Sequence, residues 1–404
     1  MIPAPLFRSG TFFIGICIAL YAQEKSELSF IDQEQIGTTL KAAEDAGLVI
    51  SNADGSYSMN LRARIQSRFT QTTRASQGAP RQTEFAVRRL RLSFRGNIHN
   101  PFWRYYIQFG FAAQENEQDV NSNLRDAVIS YTRYRDININ MGQMKVPFSR
   151  QRVSSSGNLQ FPDRSRTSGE LNMDRDIGIS LTSSNLFNLR NFLGYALAVF
   201  GGEGRNRQSR SPGVMGLAKL FLSPFGPQDY LSEGDFQRYE KPKLTLGIAY
   251  AYNHNTERKL STLGEFYRFS RFDYEHVCAD FVAKWRGLSL TGEYLLRKAN
   301  RPFHVNSLNP TEVEYSRSAW GYFLQAGYLF PIDVELAMRY GELFPLGETD
   351  PTLVYSRELG GGVSIYLSEH LLKIQADYFF YEGNFAIDRQ SKSQEVRFQI
   401  QMVI

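Results

Sequence analysis

Arginines that alternate with apolar residues are the feature of this chain best able to do chemistry. Arg62, Arg64 and Arg68 form one group, Arg89, Arg91 and Arg95 a second, and Arg104 stands on a third segment. In a β-strand successive side chains point to opposite faces, so a spacing of two gathers each group on one face. Around the first group Tyr57, Met59, Leu61, Ala63, Ile65 and Phe69 fall on the other face. A planar guanidinium donates two parallel hydrogen bonds to an oxyanion. A ladder of such groups replaces part of an anion's hydration, and weak sites in series let the ion leave again.

Seven arginines share these polar faces with no carboxylate among them. From residue 275 onward the polar faces carry Lys284, Arg297, Arg317, Arg339, Lys373 and Arg397 against Asp280, Glu293, Asp333, Glu335, Glu358, Asp377 and Glu395, which is near balance. The excess positive charge therefore belongs to one wall. Arg205, Arg207 and Arg210 read as a solvated loop. The competing reading of the basic wall is a network of ion pairs that stiffens it, giving general diffusion without strong anion preference.

Other chemistries find little support. His99, His254, His276, His304 and His370 are scattered without metal-ligand spacing, so no metal and no cofactor are expected. Gly201-Gly202-Glu203-Gly204 follows a strand pattern but opens no helix, so it is not a phosphate cradle. An enzyme would need loops to bring His254 or His304 to a Ser or Asp partner, which the spacing does not suggest, so no enzyme is expected. A net charge of +5 gives no reason to expect nucleic acid.

The elements that position the arginines follow from periodicity. Residues 1–22 hold Arg8, the apolar run Thr11 to Leu20 and then Ala22, the pattern of a secretory signal peptide. Its removal lowers the net charge from +5 to +4 and leaves Cys278 as the single cysteine. Residues 23–56 read as a periplasmic lead-in, either a short helix, from the loose spacing of Ile36, Leu40, Ala43 and Leu48 before Asn52-Ala53-Asp54-Gly55, or a flexible segment. Residues 57–404 alternate with period two.

Sixteen segments begin near Tyr57, Glu84, Phe102, Leu124, Ile137, Met173, Leu193, Val214, Lys243, Glu275, Leu288, Arg317, Asp333, Arg357, Leu371 and Gln394. Most have about ten residues, the length of a tilted membrane-crossing strand. Short connections such as Arg135-Asp136 and Arg286-Gly287 alternate with long ones such as 146–172, 254–274 and 299–316. The connection from Pro224 to Pro242 breaks the rhythm: it falls where a short turn belongs, and the pattern gives no reason for its length. A soluble β-sandwich would also alternate, but it needs neither aromatics near both strand ends nor an even strand count. The expectation is an all-β fold, a 16-stranded antiparallel transmembrane β-barrel, closed because lipid offers no partner to an open sheet edge.

The stretch from Phe85 through Val87-Arg88-Arg89-Leu90-Arg91-Leu92 to Gly96 resembles the phosphate-selective porin O and P family. So do Leu124-Arg125-Asp126-Ala127, Gly142-Gln143-Met144-Lys145-Val146-Pro147-Phe148, Arg175-Asp176-Ile177-Gly178, and Leu371 to Tyr378, in the family's order. The resemblance implies a bacterial outer-membrane porin, a homotrimer in outer-membrane lipid, passing small anions and phosphate among them. It also implies an inward third loop, here 146–172, with Lys145, Arg150, Arg152, Arg164 and Arg166 at the constriction. Ile404 stands where the family usually ends on an aromatic. A general diffusion porin and a barrel adhesin are the alternatives.

Overall fold

In the computed structural model the described residues are 38–43, 47–74, 81–115, 122–207, 213–383 and 391–404. Residues 1–37, which hold the expected signal peptide and the first part of the expected lead-in, lie outside them. No described helix is long and apolar enough to cross a membrane.

The alternation folds as antiparallel strands. The barrel strands are β3 (Ser58–Arg74), β4 (Gln82–Ile98), β5 (Asn100–Gly110), β6 (Leu124–Tyr134), β7 (Ile137–Lys145), β8 (Arg175–Ser183), β9 (Leu193–Phe200) and β10 (Val214–Leu222). They continue with β11 (Lys243–Thr256), β12 (Phe272–Trp285), β13 (Leu288–Ala299), β16 (Ala319–Leu329), β17 (Val334–Pro345), β18 (Ser356–Ser368), β19 (Leu372–Gly383) and β20 (Ser391–Val403). Each pairs with the next, and β20 closes on β3 with Gln399 opposite Arg68 and Val403 opposite Arg64. The sixteen expected segments are thus sixteen strands of one closed barrel. The short β14 (Phe303–Val305) and β15 (Val313–Tyr315) form a separate hairpin in an outer loop.

The lead-in departs from the helical expectation where it is described. Residues 38–43 and 47–52 pair as antiparallel strands, β1 (Thr38–Ala43) and β2 (Gly47–Asn52), not as a helix. Because β20 pairs with β3 only from Arg64 onward, the edge at Ser58 to Leu61 is left over, and β2 occupies it. An unpaired strand edge is costly, and β2 satisfies this edge better than a lone helix could.

The barrel is inside-out relative to a soluble sandwich. On β11 Leu246, Ile248, Tyr250 and Tyr252 are exposed while Thr245, Ala249, Ala251 and Asn253 are buried. On β12 and β13 the buried set includes His276, Asp280, Lys284, Glu293 and Arg297. The apolar outer face suits lipid, and the polar face turns to the lumen.

The lumen is filled unevenly. The third loop, 146–174, runs inward from Pro147, which cannot continue a strand ladder. It carries two short helices, α1 (Arg150–Val153) and α2 (Arg166–Leu171), capped by the hydroxyls of Ser149 and Ser165. Its Val146, Phe148, Leu171 and Met173 pack against inward-facing Ala198, Phe200, Leu217, Ala249, Ala251, Cys278 and Leu295. Small and apolar residues on the lumen face of β9 to β13 make room for the loop. The open space is left along β3 to β8, beside the arginines.

Candidate functional site

Three adjoining spaces lead from that basic wall toward the connection between β10 and β11. Toward the long loops, a cavity of about 220 Å³ is lined by Arg88, Arg89, Arg91, Arg125, Lys145, Arg152, Arg164, Arg175 and Arg205 against Glu115 and Asp174, nine cations to two carboxylates. Below it, about 370 Å³ is lined by Arg62, Arg64, Arg91 and Arg95 with no carboxylate among its lining residues. Toward the short turns, about 360 Å³ is lined by Arg62 and Lys284 against Asp229, Asp235 and Glu369. Positive charge is therefore densest at and just below the third loop, and fades toward the periplasm.

The tip of the loop, Val153 to Ser156, sits between three cations. Arg64 Nη1 donates to Ser155 Oγ at 2.8 Å and Nη2 to Ser156 Oγ at 3.1 Å. Lys145 Nζ donates to Val153 O at 2.5 Å and Ser154 O at 3.3 Å. Arg164 donates to Gln151 O and Ser154 O, each at 2.8 Å. Among the described residues none of these three cations has a carboxylate within ion-pair distance. A Cβ at Gly157 would lie 2.5 Å from Arg64 Nη1, so glycine there leaves the guanidinium its place. Burial first, then the neighbouring Arg152 and Arg91, push the Arg164 guanidinium down, as happens where cations outnumber counter-charge.

Three of the seven arginines that look unopposed along the strands, Arg68, Arg89 and Arg91, meet a carboxylate supplied by a loop, which narrows the sequence reading. Asp163, on the third loop, is bonded to Arg68 and stands 3.3 Å from Arg89, 3.8 Å from Arg88 and 3.8 Å from Arg397. Burial alone would raise its carboxyl, but Arg68, Arg88, Arg89 and Arg397 together hold it well below the usual carboxylate range. Glu115, in the loop after β5, meets Arg91 at 2.5 Å and Arg125 at 3.6 Å, and is held down by them against the opposing effect of burial. Asp174 meets Arg152 at 2.8 Å and Arg175 at 3.0 Å, and Arg175 also grips Asp126 bidentately at 3.0 and 2.9 Å.

The expected site residues separate accordingly. Arg62, Arg64, Arg89, Arg91, Arg95, Lys145, Arg152 and Arg164 line the pore spaces. Arg68 lies beneath the loop, bonded to Gln399 and Pro162 O. Arg104 is exposed and donates to Pro101 O at 3.2 Å, away from all three spaces. Arg150 is fully buried near Glu233 and Glu293. Arg166 lies 3.4 Å over the ring of Tyr381 and 3.6 Å from Glu395. These four do not line the constriction.

Four lining arginines escape the sequence reading. A bulge at Gln66/Ser67 pairs Gln66 with Arg89 and Ser67 with Val87, so Arg88 and Arg89 both turn inward. Strict alternation assigns only one. Arg125 and Arg175 lie in the motifs Leu124-Arg125-Asp126 and Arg175-Asp176, whose acid-base adjacency is their available signal. Arg205 lies in a loop that folds over Glu115, with Nη2 2.5 Å from the Glu115 carbonyl.

A family model described as phosphate-selective porin O and P matches residues 59–336. No curated protein matches the chain. Among solved structures, the chain is similar to an anion-selective porin from Comamonas acidovorans, at 11% identity and TM-score 0.56, covering 86% of this chain and 100% of that one. It is also similar to the outer membrane channel DcaP of Acinetobacter baumannii, at 10% identity and TM-score 0.55, covering 88% and 99%. The OmpT outer membrane protein of Vibrio cholerae, described in a trimer form, aligns at 9% identity and TM-score 0.50, covering 86% and 99%. At such identities these likenesses speak to the fold.

Proposed function

The chain belongs to the phosphate-selective porin O and P family, and from that premise we propose that it is a passive diffusion channel for small anions, oxyanions such as phosphate included. The barrel is an outer-membrane porin. The observation that carries the anion reading is the set Arg64, Lys145 and Arg164 around the loop tip, three cations without carboxylate partners among the described residues. An anion passing there exchanges water for guanidinium and ammonium donors that need not first break an ion pair. The excess of cations in the upper and middle spaces draws anions in, and the near balance toward the short turns lets them go. A site that bound strongly along its whole length would hold its ion rather than conduct it.

The second reading, a general diffusion pore, is favoured by the ion pairs of Arg68, Arg91 and Arg175, which tie down charge as a stiffening network would. Reconstitution in a planar bilayer and the reversal potential across a salt gradient distinguish the two. The anion reading requires a clear shift toward the chloride potential, and a value near zero supports the general pore. Assembly as a homotrimer in outer-membrane lipid belongs to the same proposal.

A further inference from the structure

The connection between β10 and β11, residues 223–242, is too long for a periplasmic turn, and it folds into the lumen. It rises from the short-turn side to meet the third loop from below. Glu233 stands where the two meet and is 1% exposed. Its Oε2 accepts from Gln160 N at 2.9 Å and from Gln325 Nε2 at 2.9 Å, and its Oε1 accepts from Gln151 Nε2 at 3.1 Å. Arg150 Nη2 lies 3.6 Å from Oε1, and the Glu233 N–H donates to Asn158 O at 3.2 Å. One carboxylate thus joins both legs of the third loop, Gln151 and Gln160, to the wall at β16.

The rest of the connection anchors that carboxylate. Tyr230 O accepts from Arg150 at 3.3 Å, and the Tyr230 hydroxyl donates to Asp280 on β12. Lys284 Nζ donates to Asp229 O at 2.7 Å, and Gly287 N–H to Asp235 Oδ2 at 2.8 Å. On the far side Phe236 lies edge-on to Tyr366 at 4.7 Å, and Ser232 Oγ is 3.1 Å from His370 Nε2. The connection is therefore tied to β12, to the β12–β13 turn and to the β18–β19 turn, which is the footing of a brace.

We infer that this connection is the floor of the constriction and that Glu233 is a positioning residue, holding the loop tip Val153 to Ser156 against Arg64, Lys145 and Arg164. Glu233 itself lines none of the three pore spaces described above. Its influence on ions runs through where it holds the loop. Without it, the donors of Gln151, Gln160 and Gln325 and the charge of Arg150 lose their common acceptor inside a buried site, and the loop gains freedom.

The test is single-channel recording of wild type, Glu233→Ala and Glu233→Gln, with folding checked by heat-modifiable gel mobility. Loss of the brace makes the Ala channel noisier and more conductive, and moves its reversal potential toward zero. The Gln variant, which keeps one acceptor oxygen, falls between. If Glu233 acts only as a negative charge in the lumen, both variants stay quiet and become equally more anion-selective, which overturns the inference. Unchanged noise and conductance in both overturn it as well. If Ala does not fold, the Gln variant decides by the same criteria. The selectivity arm rests on the anion reading, whereas conductance and noise do not, so a wild-type channel without anion preference would sink that reading and leave the brace still tested.

Discussion

Replacing Arg64 by Gln is the perturbation that bears most directly on selectivity. The guanidinium reaches from β3 to the loop tip, 2.8 Å from Ser155 Oγ, so an ion threading past that tip comes within contact range of it. Two unit charges ~4 Å apart interact by about 1 kcal/mol in water and about 4 kcal/mol at an effective dielectric of 20. A water-filled space favours the lower value, which converts to a roughly five-fold loss in relative anion permeability for chloride. A divalent phosphate feels about twice the energy, about 2 kcal/mol, or roughly thirty-fold. The assay is the reversal potential in chloride, followed by the phosphate concentration that halves chloride current. Arg64→Gln should weaken phosphate block far more than it shifts chloride selectivity. Arg64→Lys should keep chloride selectivity yet lose part of the block, because an ammonium lacks the planar fork. Arg104→Gln, on an exposed side chain outside the pore spaces, should change neither. An unchanged reversal potential in Arg64→Gln would refute the assignment of the constriction to this wall.

Three more outcomes follow from the same geometry. Anion selectivity should decline between 0.1 M and 1 M salt, where the screening length shortens from about 10 Å to about 3 Å; selectivity that does not change with salt would point to sieving by size. Asp163 has a folded-state pKa below its ordinary value, so its contribution to holding the loop is present above about pH 4 and is lost only as pH falls through the lower folded value. Conductance and noise should therefore be the same at pH 7 and pH 5, while Asp163→Asn should be noisy at both; acid-induced noise in the wild type at pH 5 would contradict this. Gly142 has φ of 126° and faces the Ala127 carbonyl across β6 and β7, so Gly142→Ala should cost about 1–3 kcal/mol through backbone strain, read as a lower midpoint for loss of the heat-modifiable folded band.

The barrel was legible because its signal is local. Tyr57 to Phe69 shows the period of two within a dozen residues, and the long and short connections mark which end of each strand is which. The basic wall was legible for the same reason at Arg62, Arg64, Arg89, Arg91 and Arg95. What local pattern cannot carry is the partner that arrives from a distant part of the chain. Asp163 meets Arg68 across 95 positions, and Glu233 meets Gln160 across 73. Arg88 was hidden for a different reason, since one bulge residue shifts the parity of every side chain beyond it. The lead-in's apolar spacing is too sparse to separate a helix from paired strands, and the edge that decides between them at 47–52 belongs to β3.

The pairing of so many arginines does not cancel the wall's charge; it fixes where that charge sits. In the upper space two carboxylates stand among nine cations, and one of them, Glu115, is shared by Arg91 and Arg125. Asp163 likewise serves Arg68, Arg88 and Arg89, so each such cluster keeps a positive remainder. Buried guanidinium groups that repel one another would splay without a shared counter-charge, and a buried pair is weak as a source of stability yet strong as a constraint on geometry. The carboxylates from the loops thus hold the arginines close enough to act together. Arg64, Lys145 and Arg164 have no such partner among the described residues; backbone carbonyls and serine hydroxyls of the loop hold them by dipoles instead.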